Sequence, residues 1–125
     1  MIKPSKVHLH KQSKILEVGF LEHTYHLSAE LLRTHSPSAE VRGHGEGQAV
    51  LVVGKIDVGI SSLRVVGHYG LQIVFDDGHD SGIFSWAYLQ DLGEHHIGYW
   101  QAYVDKLQQQ QQSREPNTSV VQLIS

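Results

Sequence analysis

The sequence of 125 residues contains no cysteine. This absence excludes disulfide bonds, cysteine-ligated zinc or iron–sulfur clusters, and thiol catalysis by this chain. The sequence also has no apolar run near the roughly 18 residues that a membrane-spanning helix needs. Its first residues lack the apolar core of a signal peptide. We therefore expect a cytoplasmic protein that neither spans nor binds a membrane.

Clustered positive charge is missing as well. Lys and Arg together number 10 and Asp and Glu 13, which gives a formal charge of −3 at pH 7. The basic residues are scattered, with no three in succession. Because nucleic-acid binding depends on a clustered positive face that neutralises phosphates, the sequence predicts no nucleic-acid partner.

Histidine, in contrast, occurs ten times, without forming a run. An unperturbed imidazole has a pKa of about 6.5, so these side chains lie at the boundary between neutral and charged near neutral pH. We interpret most of them as solvated surface residues. A few are candidate metal ligands.

Alternating apolar and polar residues predict strands in hairpins, first near the N-terminus and again in the middle of the chain. The predicted strands are 6–10, 14–20, 23–27, 60–68, 71–75 and 81–85. A short helix over 28–33, capped by Ser28, separates the two groups, and helices are predicted over 86–92 and from Ile97 to Leu107. The segment 38–48 is predicted to be a glycine-rich loop.

This order of elements predicts an α+β fold. A small antiparallel β-sheet built from hairpins would pack against the C-terminal helices, with one short helix between strands. The length favours one domain, which we place at 1–107. The glutamine tract 108–112 could extend the last helix, but the remainder of the chain lacks a packing pattern. We assign 108–125 to a glutamine-rich tail that we expect to be disordered.

Three segments together resemble one known family. They are LR at 32–33 with SPSAEVRGHG at 36–45, VGHYG at 66–70, and FDDGHDSGIFSW at 75–86. The chain is therefore similar to the gamma-butyrobetaine hydroxylase-like N-terminal domain, whose stand-alone bacterial members have unknown function. The resemblance spans roughly residues 6 to 107, and its last segment is the most specific.

The resemblance implies a structural zinc site with three Cys ligands and one His. Aligned on the first segment, the Cys positions fall at Ser36, Ser38 and Val41, and the His is His79. A hydroxyl is a poor zinc ligand and an isopropyl group is none, so the tight zinc site is expected to be lost. In the hydroxylases an oxygenase domain follows, for which 125 residues leave no room, so we expect no hydroxylase activity. Elsewhere the domain is fused to iron–sulfur carrier ATPases.

A metal site made of histidines is nevertheless one hypothesis. His35 and His44 flank the loop that carries the Cys in the family, and His79 lies in a predicted hairpin turn. With help from Glu40 or Asp80, these imidazoles could hold zinc, nickel or iron(II). The alternative is that His44 and His79 are hydrogen-bonded structural residues where a metal once stood. We expect no other cofactor.

Two further polar groups could have a chemical role, but for both we favour a purely structural interpretation. Asp76 and Asp77 with His79 could act in acid–base catalysis, but Asp-Asp-Gly-His is also the composition of a tight turn. His95 and His96 would point about 100° apart on a helix, so they cannot chelate one ion together.

Aromatic residues at helical spacing usually belong to the core, and Trp86 and Trp100 should anchor the helices on the sheet. An exposed remainder could contact a partner, with Tyr99, Trp100 and Tyr103 as interface candidates. The sequence thus predicts a non-enzymatic binding module that acts through another protein. The fusions of the family that it resembles imply a role in iron–sulfur or metal protein maturation. The alternative is a histidine-ligated metal-binding domain. The oligomeric state stays open.

Overall fold

The computed structural model describes residues 3–43 and 49–116, in which two three-stranded antiparallel sheets alternate with four helices. The strands are β1 (Lys6–His10), β2 (Ile15–Gly19), β3 (Thr24–Ser28), β4 (Ile60–Val66), β5 (Gly70–Phe75) and β6 (Ile83–Ser85). The helices are α1 (Ala29–Thr34), α2 (Ala39–Arg42), α3 (Trp86–Glu94) and α4 (His96–Gln109). The predicted α+β class and the antiparallel hairpins are confirmed, but the strands form two sheets rather than one.

The first sheet has the strand order β1-β2-β3 and one apolar face. Leu16, Val18 and Leu27 are almost fully buried because alternate side chains of a strand point to the same face. Full burial of such a side chain stabilises a fold by about 1.5–3 kcal/mol. The opposite face of this sheet carries polar side chains, including Glu17 and His26, which are cross-strand partners.

The second sheet, β4-β5-β6, is built in the same way around its central strand. Leu71, Ile73 and Phe75 have at most 1% of their surface exposed. The predicted turn between β5 and β6 is confirmed: Gly78 has a φ of +92°, a conformation that glycine adopts without steric cost. This turn carries His79 to the protein interior.

The helices pack on the sheets: α1 and α3 contact β3, and α3 also contacts β6 and α4. Ser28 caps α1 by accepting a hydrogen bond from the backbone N–H of Leu31 (3.0 Å), as predicted. His95 interrupts the helical conformation between α3 and α4, so the two C-terminal helices are separate. Trp86 is buried in the core, and Trp100 is partly buried against it.

Two expectations about irregular segments were wrong. Residues Ala39–Arg42 form the short helix α2 rather than a loop, since Ser38 is extended after Pro37 and the buried Val41 anchors the turn. Residues 108–116 are not disordered: Gln108 and Gln109 end α4, and the backbone N–H groups of Gly54 and Ile56 donate to carbonyls of residues 113 and 114, each at 3.0 Å.

The domain boundary at 107 stays a prediction, and residues 117–125 lie outside the described part of the chain. Among the described helices, none combines the length and apolar character needed to cross a bilayer.

Candidate functional site

The loop before α2 and the β5–β6 turn meet in a small buried polar cluster. His79 Nε2 lies 2.9 Å from Ser36 Oγ and 3.4 Å from Ser38 Oγ. The Ser36 oxygen also accepts the backbone N–H of Ser38 at 3.3 Å, so its own hydrogen is free to point at the imidazole. All three residues are buried, with Ser36 at 0% exposure. Three of the four positions aligned with the family's zinc ligands, Ser36, Ser38 and His79, are therefore close together in space.

An ion-pair group fixes the turn that carries His79. Asp77 Oδ2 accepts from Arg33 Nε (2.8 Å) and from Lys55 Nζ (2.6 Å), while its Oδ1 accepts the backbone N–H of His79 (3.1 Å). Burial alone would raise the pKa of Asp77, but these three contacts outweigh it and lower the pKa to about 2. The carboxylate is thus charged at neutral pH and ties the turn to α1 and to the segment before β4.

The imidazole of His79 is held in its neutral form. Burial lowers its pKa, and the nearby positive charge of Arg33 lowers it further. Gly82 closes over the cluster, because a Cβ there would lie 2.3 Å from Ser36 Oγ. The composition Ser-His-Asp is not a catalytic triad here, since Asp77 accepts from the backbone of His79 and the Ser36 hydroxyl is inaccessible.

This cluster does not fit the zinc that the resemblance implies. The four positions offer one imidazole nitrogen, two neutral hydroxyls and the aliphatic Val41, whereas structural zinc sites use four thiolate or imidazole ligands. The observed hydrogen bonds are those of the structural alternative for His79.

A cleft of 340 Å³ opens beside the cluster, between α2, α3, α4 and the segment 49–52. Its walls are largely apolar and aromatic, and they include Val41, Val50, Tyr88, Tyr99 and Tyr103. Such a volume is within the usual range of ligand pockets. The cleft and the cluster share one residue, Ser36.

His35 lies in this cleft rather than against His79 in the cluster. Its Nδ1 is 3.0 Å from the carbonyl oxygen of Leu31, and its ring makes edge contacts with Tyr99 and Tyr103 at centroid distances of 5.5 and 5.9 Å. Burial lowers the pKa of His35, although the bond to Leu31 opposes the change. The side chain is therefore a neutral part of the wall.

The three tyrosine hydroxyls of the cleft are all used as donors. Tyr88 donates to the carbonyl of His35 and Tyr103 to that of Val52, each at 2.6 Å, and Tyr99 donates to the Asp91 carboxylate. The bond to Asp91, followed by burial, raises the pKa of Tyr99 to about 12, and burial above all raises that of Tyr103 to about 12.

The positive charges at the cleft were missed in the sequence. Arg42 and Lys106 belong to its lining, which contains no Asp or Glu among the described residues. The Arg42 guanidinium lies 4.8 Å from the centroid of the Tyr88 ring. Across residues 3–43 and 49–116, neither cation forms an ion pair with a carboxylate. The sequence did not indicate that these two cations border one cleft, because they are 64 positions apart and neither belongs to a basic run.

The predicted site residues thus divide between two places. His79 lies in the cluster and His35 in the cleft, while His44 lies outside the described residues. Of the interface candidates, Tyr99 and Trp100 are partly exposed, but Tyr103 is 96% buried as a cleft wall, contrary to the expected exposure. The metal and interface assignments themselves stay predictions.

Comparison with known proteins agrees with the fold. The model of the family described as gamma-butyrobetaine hydroxylase-like, N-terminal, matches residues 7–90. The chain belongs to this family. No match was found among curated proteins.

Solved structures of similar proteins extend the comparison of this gamma-butyrobetaine hydroxylase-like N-terminal domain. Two solution NMR structures are 46% and 40% identical, with TM-scores of 0.83 and 0.79; both cover the whole of this chain and 99% and 95% of their own. A crystal structure of a DUF971 family protein of unknown function from Acidithiobacillus ferrooxidans is 34% identical, with a TM-score of 0.60, over 72% of this chain and 91% of its own.

Proposed function

We propose that this domain is a non-enzymatic binding module that acts in the cytoplasm by contact with another protein. The cleft would receive an acidic segment of that partner, with one large apolar side chain inserted between the tyrosines. The observation that carries this proposal is an apolar cleft bordered by two cations that lack carboxylate partners among the described residues. The family's fusions to iron–sulfur carrier ATPases suggest a partner in iron–sulfur or metal protein maturation.

The shape of the cleft supports a side-chain anchor. Its aromatic walls are rigid, since Tyr88 and Tyr103 are each fixed by a hydrogen bond to a backbone carbonyl. A preformed apolar pocket binds with little loss of conformational entropy, which is how a few anchors dominate the affinity of protein interfaces. The exposed Val50 at its rim adds apolar surface.

The charge distribution supports an acidic partner. The chain as a whole is negative, yet the described cleft lining contains two cations and no carboxylate. Complementary charges at an interface guide association and reject partners of like charge. An acidic segment is therefore favoured over a basic one at this place.

The state of the polar groups supports binding rather than catalysis. A general acid or base must have a free proton or lone pair near the substrate. The three tyrosine hydroxyls of the cleft already donate to protein oxygens, so none of them has a free proton for a substrate. These groups shape the cleft.

The test uses two capped hexapeptides, each with one phenylalanine, flanked by Asp and Glu in one and by Lys in the other. Their binding to the full chain is followed by amide NMR shifts. We expect the acidic peptide to shift amides of 49–52 and 102–106, and the basic peptide to leave them unchanged. Equal binding of both peptides, or shifts confined to other surfaces, would overturn the proposal.

Charge reversal provides the matched control. Each exposed ion pair contributes up to about 1 kcal/mol, so Arg42→Glu combined with Lys106→Glu should weaken binding of the acidic peptide by about tenfold. Lys11→Glu combined with Arg64→Glu changes the net charge equally but on surfaces outside the cleft, and it should change affinity less than about twofold.

The alternative proposal is a divalent-metal site formed by His35, His44 and His79. In its favour, Val50 N–H donates to the Val41 carbonyl (2.7 Å), which brings the two ends of the segment bearing His44 to the rim of the cleft. Among the described residues, neither His35 nor His79 belongs to a group of three close donor side chains, so the third ligand must come from His44. His79→Ala should then abolish localised zinc-induced NMR shifts; unchanged shifts would refute this alternative.

A further inference from the structure

The outer face of the first sheet presents a group of potential metal ligands that belongs to neither the cleft nor the buried cluster. His8 and His10 alternate along β1, so both side chains are on the polar face. Glu17 is the direct cross-strand partner of His8 on β2, and His26 is the partner of Glu17 on β3. One row across the sheet therefore contains two imidazoles and a carboxylate, with a third imidazole beside it.

The donor atoms of three of these side chains already converge. One ligand atom from each of His8, His10 and Glu17 lies within 4.8 Å of the other two. His10 Nε2 is 2.8 Å from Glu17 Oε1, and the rings of His8 and His10 are stacked with centroids 4.1 Å apart. In a tetrahedral site with bonds of about 2.1 Å, donors are about 3.4 Å apart, so small side-chain rotations suffice.

We propose that His8, His10 and Glu17 form a surface site for a transition-metal dication such as Zn²⁺, with His26 as the fourth ligand. Imidazole and carboxylate donors suit zinc, nickel and copper(II), whereas magnesium and calcium prefer sites made of oxygen alone. Because the ligands stand on hydrogen-bonded antiparallel strands, their backbone positions are fixed before the ion binds.

The solvent exposure of these side chains and the negative charge of Glu17 both favour entry of a metal ion. His8 and His26 are exposed, and His10 and Glu17 are partly exposed, so the ion can enter from solvent without any opening of the core. Glu17 supplies the negative charge of the group, and its carboxylate contacts both His10 and Lys6. Lys6 Nζ, at 3.0 Å from Glu17 Oε2, occupies the carboxylate and would be displaced by the metal.

The test is calorimetric titration of the metal-stripped full chain with zinc chloride at pH 7.5, compared with magnesium chloride. We expect one saturable zinc site and no magnesium binding. His8→Ala and Glu17→Ala should each weaken zinc binding at least tenfold, whereas Lys6→Gln should strengthen it severalfold because the competing ammonium group is gone.

Matched controls locate the site. His23→Ala and His68→Ala remove exposed histidines elsewhere and should leave the affinity within twofold. Zinc-induced amide NMR shifts confined to β1, β2 and β3 separate this site from the alternative metal site at the cleft. The ligand variants change the outer face only, and circular dichroism will verify that they fold. Absence of a saturable zinc site, or equal weakening by the control variants, would overturn the proposal.

Discussion

The bidentate ion pair between Glu30 and Arg114 is expected to be a major contribution of the C-terminal segment to stability. Arg114 Nε donates to Glu30 Oε2 at 2.8 Å, and Nη2 donates to Oε1 at 2.7 Å. Glu30 is 6% exposed, while the Arg114 side chain is 38% exposed and its guanidinium lies 5.0 Å from the centroid of the Trp100 ring. Arg114→Ala would therefore leave a buried carboxylate without its cation.

The expected loss of stability follows from the difference in burial between Glu30 and Arg114. Breaking a buried pair by removing one partner typically costs about 3–5 kcal/mol. Because Arg114 is one-third exposed, water can partly replace it, which reduces the expected loss to about 2–3 kcal/mol. For a domain of this size, each kcal/mol lowers the melting temperature by about 4 °C, so a decrease of about 8–12 °C is expected.

The assay is urea unfolding of three variants followed by circular dichroism. If the unpaired charge is the cause, Glu30→Gln in the Arg114→Ala background should recover stability relative to Arg114→Ala alone, and the double-variant coupling should exceed about 1 kcal/mol. A loss below about 0.5 kcal/mol in Arg114→Ala, or strictly additive effects, would refute the reasoning.

Two further predictions concern helix packing and acid stability. Gly93→Ala in α3 should destabilise by about 1–3 kcal/mol, because the new Cβ would lie 2.3 Å from the ring of Tyr25, whereas Gly98→Ala in α4 has open space and should stabilise by up to about 1 kcal/mol; thermal unfolding of both variants measures the difference. Asp77 has a lowered folded-state pKa, so its contribution is present above about pH 4 and is lost as the pH falls towards 2. Asp77→Asn should be less stable at pH 7 and lose less stability over that interval; parallel pH dependence of the two proteins in urea unfolding would contradict this.

The secondary structure was largely predictable because it depends on local patterns. Each local pattern predicts one type of element: a strand for the alternation in Leu71–Phe75, a turn for Asp-Gly at 77–78, and a helix for the spacing of Trp100 and Leu107. The division into two sheets was not predictable, since it depends on which strands pair across the intervening α1 and α2. The ordered segment up to residue 116 was missed because Arg114 finds its partner 84 positions away, at Glu30.

The candidate site was predictable only in part, and for a similar reason. The resemblance aligned Ser36, Ser38 and His79 with one metal site, and the structure brings them together across 41 and 43 positions. The cleft had no such marker, because its walls come from α2, α3, α4 and a segment without periodicity. Burial of Tyr103 could not be inferred either, since its helical spacing is equally typical of a core and of a rim.

The chain keeps the fold without the zinc ligands that the resemblance implies. Several weak contacts must therefore replace one strong metal site. A structural zinc ion can contribute about 10 kcal/mol or more, whereas one hydrogen bond such as that between Ser36 and His79 contributes about 1 kcal/mol. Further contacts must hold the turn, and Asp77 supplies them by pairing with Arg33 of α1 and with Lys55 before β4. These ion pairs hold the same turn from its outer side, so the imidazole can stay neutral inside. The polar cluster therefore fixes the geometry of the cleft wall at Ser36, while the charged group ties the turn to α1 and to the segment before β4.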